Sequence, residues 1–251
     1  MTTQQKQLWR ATGRNMGISV CLFAALIVLL WLSDLIFPDA HLLQWHDTAW
    51  CVGLPASIIG VAYVLTIRDP QNYTGFYAGI TMSVLLAVQF FLLGQYDSTF
   101  LYLFMFIPFQ ILSIVNWKKT TKSDETFLPE FLPMKAMLLS LFVCIMITCT
   151  DYLLATYFFN KEALTDNIAI KIFNGLLISS SFFANFWLIY RKNDSWLYWI
   201  LYSVAGIALF IIINNIFSIV LFTFFLVINS MAGFSWIKTT PRDRYGWLIG
   251  K

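Results

Sequence analysis

The stretch Arg191–Trp199, which reads RKNDSWLYW, joins two long apolar segments of the chain. Two basic residues and a short polar turn are followed at once by a helix start with two tryptophans, three positions apart. The apolar segments occupy residues 168–190 before the turn and 195–213 after it. Each has about the 20 residues that an α-helix needs to cross the hydrocarbon core of a bilayer. The stretch therefore predicts a turn at a membrane surface between two spanning helices.

The whole chain has the composition of a membrane protein. Of its 251 residues 59% are hydrophobic and only 12% are charged, whereas a soluble domain carries about a quarter of charged residues. The first apolar run is too long for the core of a signal peptide and no cleavage site follows it, so we expect a retained helix. We predict an all-α polytopic membrane protein with eight spans, at residues 16–37, 48–67, 73–94, 98–117, 135–158, 168–190, 195–213 and 216–237.

The distribution of Lys and Arg predicts the orientation. If the N-terminus is cytoplasmic, 14 of the 16 basic residues fall on the inside, and only Lys161 and Lys171 fall on the outside. Inside loops carry such an excess in membrane proteins. We therefore expect a multi-pass protein of the inner (plasma) membrane with both termini in the cytoplasm. The net charge of +3 then reflects orientation, and we expect no nucleic-acid partner.

An internal repeat predicts the architecture. A shift of 119 residues places Trp117 on Trp236 and Gln110 on Asn229. Three spans reverse direction, so one further span between two such blocks leaves the blocks parallel. We predict two parallel three-helix repeats joined by one linker helix, plus one N-terminal helix, with a substrate site near mid-membrane and alternating access. The predicted segments are an N-terminal segment and helix at 1–40, a first repeat at 45–118, a cytoplasmic loop at 119–134, a linker helix at 135–158, a second repeat at 166–238 and a cytoplasmic tail at 239–251.

Ionisable groups are scarce inside the predicted spans. Asp151 is the one plausible buried carboxylate, and both an interfacial role and an ion-coupling role are open for it. His41 and His46 lie in a predicted outside loop, and the four cysteines have neither metal-ligand nor redox spacing. We expect no catalytic residue, no metal, no cofactor and no enzymatic activity. The pattern favours a facilitator, without ion coupling, for a neutral solute or one with delocalised charge.

Uncharged polar residues and tryptophans supply the candidate site. Trp196, Trp199 and Ser203 lie on one helical face. Indole rings suit a flat heteroaromatic ring, and hydroxyl and amide groups suit ribose oxygens or a carboxamide. The alternatives are an interfacial aromatic belt for the tryptophans and helix–helix hydrogen bonds for the polar groups. We predict a substrate site formed by Trp196, Trp199, Ser203, Gln110, Asn229, Asn174, Asn185 and Gln89.

At these residues the chain resembles the PnuC family of vitamin transporters. The resemblance rests on Arg191-Lys192, on the Ser-Trp-x-x-Trp helix start at 195–199 and on Ser235-Trp236 near the end of the last span, and it covers residues 45–240. It implies a SWEET-like three-one-three fold, often trimeric, that carries nicotinamide riboside down its gradient. The resemblance also implies that a cytoplasmic nucleoside or vitamin kinase traps the solute.

The chain departs from the family pattern at three positions, where it has Ser203, Leu103 and Met231. Family members commonly have Asn or Asp, Gln, and Asn at these places. Relatives of the same fold are associated with thiamine, riboflavin or deoxynucleosides. The resemblance therefore leaves a deoxynucleoside or thiamine as an alternative cargo.

Overall fold

The computed structural model describes residues 2–36, 48–92, 94, 96–121, 128–157, 167–214 and 216–239. In these ranges the regular secondary structure is helical, apart from one isolated bridge between Glu130 and Lys192. His41, His46 and Lys161 lie outside the described residues. The helices are α1 (Thr3–Ile36), α2 (Thr48–Ile67), α3 (Gly75–Leu92), α4 (Tyr96–Leu101), a π-helical segment (Tyr102–Phe106), α5 (Ile107–Thr121), α6 (Met134–Tyr157), α7 (Ile168–Ile189), α8 (Ser195–Ile212) and α9 (Ile216–Thr239).

The helices have the length and composition of membrane spans. Among the described residues seven helical stretches are long and apolar enough to cross a bilayer, and the apolar part of α2, Cys51–Ile67, is shorter. The prediction of an all-α polytopic membrane protein is confirmed. α1 begins at Thr3, well before the predicted residue 16, because Thr2 and Gln5 form a capping box. The Gln5 amide donates to Thr2 Oγ1 at 3.2 Å, and the Thr2 amide donates to Gln5 Oε1 at 3.0 Å.

The chain divides into two compact units, Met1–Lys118 and Lys119–Lys251. In the first unit α1 packs on α2, α2 on α3, and α3 on α4 and the π-helical segment. In the second unit α6 packs on α7, α7 on α8, and α8 on α9. In each unit one additional helix, α1 or α6, thus packs on the first of three further helical stretches. In the first unit the third stretch comprises α4, the π-helical segment and α5. α6, predicted as a linker, packs on the first helix of its unit just as α1 does.

α3 in the first unit and α8 in the second unit end alike. Beyond α3 Gly94 has a φ of 68°, and beyond α8 Asn214 has a φ of 54°. Gly and Asn are the residues that most readily adopt this left-handed conformation, which stops a helix. The two residues are 120 positions apart, and so are the first residues of α3 and α8. α3 and α8 are therefore related by a shift of 120 residues, which is one more than the shift of 119 that places Trp117 on Trp236.

The fourth predicted span contains an irregular turn. In the π-helical segment the Ile107 amide donates to the Tyr102 carbonyl, five residues back. Pro108 follows directly. Proline lacks an amide hydrogen, and its ring clashes with the carbonyl four residues earlier, so a regular α-helical turn is disfavoured there. A wider turn relieves that clash.

The α8–α9 contact depends on a glycine. A Cβ atom built on Gly206 would overlap the aromatic ring of Phe222. That ring is itself held between Tyr202 and Phe210, whose ring centroids each lie 5.2 Å away. The ring cannot move aside cheaply, so the absence of a side chain at residue 206 sets the approach of the two helices.

We expect Gly206→Ala to destabilise the second unit by roughly 1–3 kcal/mol, because the added methyl group overpacks the α8–α9 contact. The matched control is Gly17→Ala in α1, where a Cβ atom meets nothing within 4 Å. That variant should keep or slightly raise the stability, since alanine favours a helix over glycine. Thermal unfolding of the purified protein in detergent measures both. Equal midpoints for the two variants would contradict the packing argument.

Candidate functional site

The face of α8 predicted to bind substrate is buried. Trp196 is 1% exposed, Trp199 is 7% exposed and Ser203 is fully buried. Tryptophans of an interfacial belt present their rings to the headgroup region, whereas these two rings lie inside the second unit. The burial therefore disfavours the belt interpretation for both.

The two tryptophans have different surroundings. The Trp196 ring packs edge-on against Trp236 of α9, with ring centroids 5.4 Å apart and an interplanar angle of 83°. Gly233 lies under it, since a Cβ atom there would be 3.1 Å from Trp196 Cβ. Trp196 thus helps to join α8 to α9. Trp199, one turn further along, lies next to Ser203 and Asn229 instead.

Hydrogen bonds fix the orientation of the Asn229 amide. Its Nδ2 donates to the Trp199 carbonyl at 3.3 Å and to Ser203 Oγ at 3.1 Å. Ser203 Oγ in turn donates to the Trp199 carbonyl at 2.8 Å. A carbonyl oxygen can only accept, so the NH₂ group of Asn229 must face it. The carbonyl oxygen of the Asn229 side chain consequently points away from these two residues.

Two polar atoms of this cluster are buried without a hydrogen-bond partner among the described residues. They are Asn229 Oδ1, an acceptor, and Trp199 Nε1, a donor. Leaving a buried polar group unpaired costs about 1–3 kcal/mol. Trp196 Nε1 and Ser195 Oγ, at the start of α8, are buried and without a hydrogen-bond partner among the described residues as well.

The first unit repeats part of this arrangement. Gln110 Nε2 on α5 donates to Ser83 Oγ on α3 at 3.1 Å, which matches the bond between Asn229 and Ser203. Phe76 packs edge-on against Trp117, with centroids 4.8 Å apart and an angle of 87°, which matches the Trp196–Trp236 pair. The position 120 residues before Trp199 is Gly79, so the first unit has no counterpart of that ring.

The remaining predicted site residues do not join these clusters. Asn174 Nδ2 donates to Asp151 Oδ2 on α6 at 3.5 Å, and its place on α7 is 11 residues, about 16 Å, from Asn185. Asn185 is buried, and its Nδ2 donates to the Ser181 carbonyl at 2.9 Å within α7. Gln89 is half-buried against Gly53 of α2. Asn174 thus contacts α6 and Gln89 contacts α2.

A short segment at residues 128–133, here called the strap, holds the turn before α8. The Glu130 amide donates to the Arg191 carbonyl at 3.3 Å, and the Asn193 amide donates to the Glu130 carbonyl at 2.7 Å. Lys192 Nζ lies 2.8 Å from Glu130 Oε2. The sequence predicted only a solvated loop here. The strap instead fixes the turn whose next helix carries Trp196 and Trp199.

Burial changes the charged groups of this turn. Arg191 is 1% exposed, and burial lowers its pKa to about 10. Asp194 Oδ2 accepts the Leu132 amide at 2.6 Å. Desolvation raises the pKa of Asp194, although the Leu132 amide and Lys192 oppose the shift. Asp194 therefore lies in surroundings that disfavour the charged form of its carboxyl group.

Metal ligands are not clustered in the part of the chain that the structure describes. No group of three or more His, Cys, Asp or Glu side chains there could hold a metal ion.

Comparison with known proteins identifies the family. The family model described as "Nicotinamide mononucleotide transporter" matches residues 50–238. The chain belongs to this family. The solved structure titled "Crystal structure of the Vitamin B3 transporter PnuC" is similar over 96% of this chain and 94% of that chain, with a TM-score of 0.62 and 17% sequence identity. That likeness shows a shared fold. A search of curated proteins gave no match.

The resemblance predicted from the tryptophan motif is thus confirmed, and the chain is a multi-pass membrane protein of the nicotinamide mononucleotide transporter family. Its three departures from the family pattern differ in importance. Leu103 is 40% exposed and Met231 is 50% exposed, so these two side chains do not lie in the buried clusters. Ser203 alone of the three lies in one.

Ser83 and the strap were not predicted from the sequence. Ser83 was missed because a uniform shift of 119 residues pairs Ser203 with Val84 instead. The strap was missed because its bonds run mainly through backbone atoms, which leave no mark on side-chain pattern. A shift of 120 residues, which places Gly94 on Asn214, also places Ser83 on Ser203.

The raised pKa of Asp194 predicts a pH dependence of stability. The folded protein holds this proton more tightly than the unfolded chain, whose value is near 3.8. The stabilising contribution is complete below that value and is lost as the pH rises through the folded pKa. Asp194→Asn cannot titrate, and its amide oxygen can still accept the Leu132 amide. Its unfolding midpoint should therefore lack the fall that wild type shows on alkalinisation from about pH 4; parallel pH profiles would contradict this assignment.

Proposed function

We propose that this chain is a facilitator that carries nicotinamide riboside, or a closely similar ribosyl vitamin precursor, across the membrane by alternating access without ion coupling. The observation that carries the proposal is the pair of unpartnered atoms, Trp199 Nε1 and Asn229 Oδ1, on the buried face of α8 and α9. Family membership supports transport of a vitamin precursor. A deoxynucleoside or thiamine is the alternative cargo.

A primary carboxamide fits the unpartnered pair. Its carbonyl oxygen accepts from the indole N–H of Trp199, and its NH₂ group donates to Asn229 Oδ1. A carboxylate offers only acceptors and would bring a negative charge against the Asn229 oxygen. The pair therefore favours the amide form of the vitamin over the acid form.

The absence of central charge on the site helices supports uncoupled transport. α8 has no Asp, Glu, Lys, Arg or His, and the charged residue of α9 is Lys238 in its last turn. Asp151 lies on α6, where it accepts from Asn174. Nicotinamide riboside has a primary hydroxyl group, and a cytoplasmic kinase that phosphorylates it would trap it as an anion. We further propose the inner membrane as location, with both termini cytoplasmic, and a homotrimeric assembly.

Uptake into liposomes tests the proposal. Purified protein in liposomes without any ion gradient should import labelled nicotinamide riboside saturably, and Asp151→Asn should import it at a similar rate. Unlabelled nicotinamide riboside should compete, whereas nicotinic acid riboside should compete at least about tenfold more weakly, since it loses one hydrogen bond and leaves Asn229 unpaired. Competition by thymidine or thiamine alone would favour the alternative cargo. Zero flux for every solute would overturn the proposal.

Substitution of Trp199 tests the site. Trp199→Ala should weaken binding of nicotinamide riboside about tenfold to a hundredfold, because it removes the N–H donor and leaves the carboxamide oxygen unpaired, which costs roughly 1–3 kcal/mol. Trp199→Phe keeps an aromatic ring and loses the N–H group, so its loss should be smaller. The control is Trp31→Ala in α1, whose side chain is 54% exposed. Isothermal titration measures all three, and equal affinities would place the ring outside the site.

A further inference from the structure

We propose that the strap must be docked on the turn before α8 for the second unit to bind its solute, and that Asp194 is the positioning residue that docks it. This role rests on the proposed function, and Asp194 acts through α8 and not by contact with the solute. The contacts that carry the proposal lie within the second unit, Lys119–Lys251. Neither Asp194 nor the strap was among the site residues predicted from the sequence.

The side chain of Asp194 bonds the strap instead of its own helix. Asp194 occupies the N-cap position of α8, where aspartate usually accepts an amide of the first helical turn. Its side chain makes no such capping bond within the described part of the chain. Oδ2 instead accepts the Leu132 amide at 2.6 Å, and Leu132 is itself buried. The carboxyl group is therefore placed to hold the strap.

The residues that bond the strap also carry the first turn of α8. The Ser195 amide donates to the Lys192 carbonyl at 3.1 Å. The Trp196 amide donates to the Asn193 carbonyl, also at 3.1 Å. On its other side Asn193 donates its amide to the Glu130 carbonyl of the strap at 2.7 Å. Because the same residues bond the strap and the helix, a displacement of the strap displaces the start of α8.

The turn is held in a strained form. Arg191 has a φ of 50°, a left-handed conformation that is uncommon for residues other than glycine. Its carbonyl accepts the Glu130 amide at 3.3 Å, and its side chain is buried. Such a conformation persists only where the surrounding contacts hold it. Release of the strap therefore removes a contact that keeps the turn in this form.

The contacts of the strap differ in strength. The ion pair between Lys192 and Glu130 is partly exposed, at 22% and 37%, and such pairs contribute little. A short hydrogen bond from an amide to a carboxylate, like that of Leu132 to Asp194, is among the stronger ones. α6, which follows the strap, is bonded to α8 separately. Loss of the Asp194 carboxyl group should therefore release the strap without detaching α6.

The separate bond of α6 joins Ser140 and Tyr198. Ser140 Oγ lies 2.6 Å from Tyr198 Oη, and both side chains are buried. Tyr198 lies one turn beyond Asp194 on α8. This contact keeps the helices of the second unit together when the strap is released, so a variant of Asp194 changes the position of the turn in a folded protein.

The first unit bonds its own turn at the corresponding position. Thr74 lies 120 residues before Asp194 and directly precedes α3, as Asp194 directly precedes α8. Its hydroxyl lies 2.5 Å from the hydroxyl of Thr12 on α1, and both side chains are buried. The bond recurs with different chemistry at the same position, which indicates that this turn has to be held in each unit.

The first experiment measures the affinity of the folded protein. Isothermal titration with nicotinamide riboside is carried out on wild type and variants below their melting temperatures. Asp194→Ala removes the acceptor and should bind the riboside about five- to twentyfold more weakly than wild type. Asp194→Asn keeps an oxygen that accepts the Leu132 amide, so it should stay within about twofold of wild type. A loss of stability alone would leave these affinities equal.

Asp69→Ala is the matched control. Asp69 lies in the turn between α2 and α3, where its exposed carboxyl group accepts the Gln71 amide of the same turn at 3.0 Å. This variant also removes one acidic side chain from a turn, but it leaves the strap and its contacts intact. It should bind the riboside with the affinity of wild type.

Hydrogen exchange provides the second readout. A solute that binds only the docked form must in turn stabilise docking, because the coupling between the two is reciprocal. In wild type, the riboside should therefore slow the exchange of the strap amides at residues 128–133, measured by mass spectrometry. Without ligand these amides should exchange faster in Asp194→Ala. If that variant does not fold, the exchange of wild type decides.

Either of two results overturns the inference. One is an equal affinity of wild type and folded Asp194→Ala for the riboside. The other is an exchange of the strap in wild type that saturating riboside leaves unchanged. If wild type itself fails to bind the riboside, the proposed function is overturned instead, so the two failures are distinguishable.

Discussion

Hydrogen bonding in a region without water is the constraint on which this structure depends. Each buried amide or hydroxyl in a span must find its partner inside the protein. Most do so locally: Ser203 donates to the carbonyl four residues back, and Thr66 and Thr148 do the same on their own helices. The side-chain amides of Gln110 and Asn229 bond between helices instead. Each bonds a serine of the neighbouring helix through nitrogen and keeps an unbonded oxygen in the interior.

Aromatic contacts in each unit join its helices near those amides. Trp196 with Trp236, and Phe76 with Trp117, form edge-on pairs that join the second helix of a unit to its third. The strap at residues 128–133 holds the turn from which α8 begins. These contacts hold the side-chain amides in place. An amide that could rotate freely would turn until its oxygen found a hydrogen-bond partner. The same burial leaves the indole N–H groups of both Trp196 and Trp199 without a hydrogen-bond partner among the described residues.

The sequence alone predicted the class, the spans and the family, because each depends on averages or on a contiguous motif. Hydropathy over some 20 residues does not depend on contacts, and the spacing of Trp196, Trp199 and Ser203 places them on one face whatever lies opposite. The site residues stay a prediction, because hydrogen-bond partners do not follow from residue type. Asn174 and Asn185 are equally polar and lie on one helix, yet one bonds Asp151 and the other its own backbone. The strap depends on bonds through backbone atoms, which composition does not record.

The π-helical segment at Tyr102–Phe106 accounts for a change of register between corresponding helices of the two units. The third helical stretches of the two units begin 120 residues apart, at Tyr96 and Ile216, whereas their amides, Gln110 and Asn229, are 119 residues apart. One additional residue therefore lies inside the first of these helices, between its start and its amide. A π turn accommodates one residue more than an α turn over the same rise. The widened turn thus takes up the extra residue locally, so that Gln110 bonds Ser83 just as Asn229 bonds Ser203.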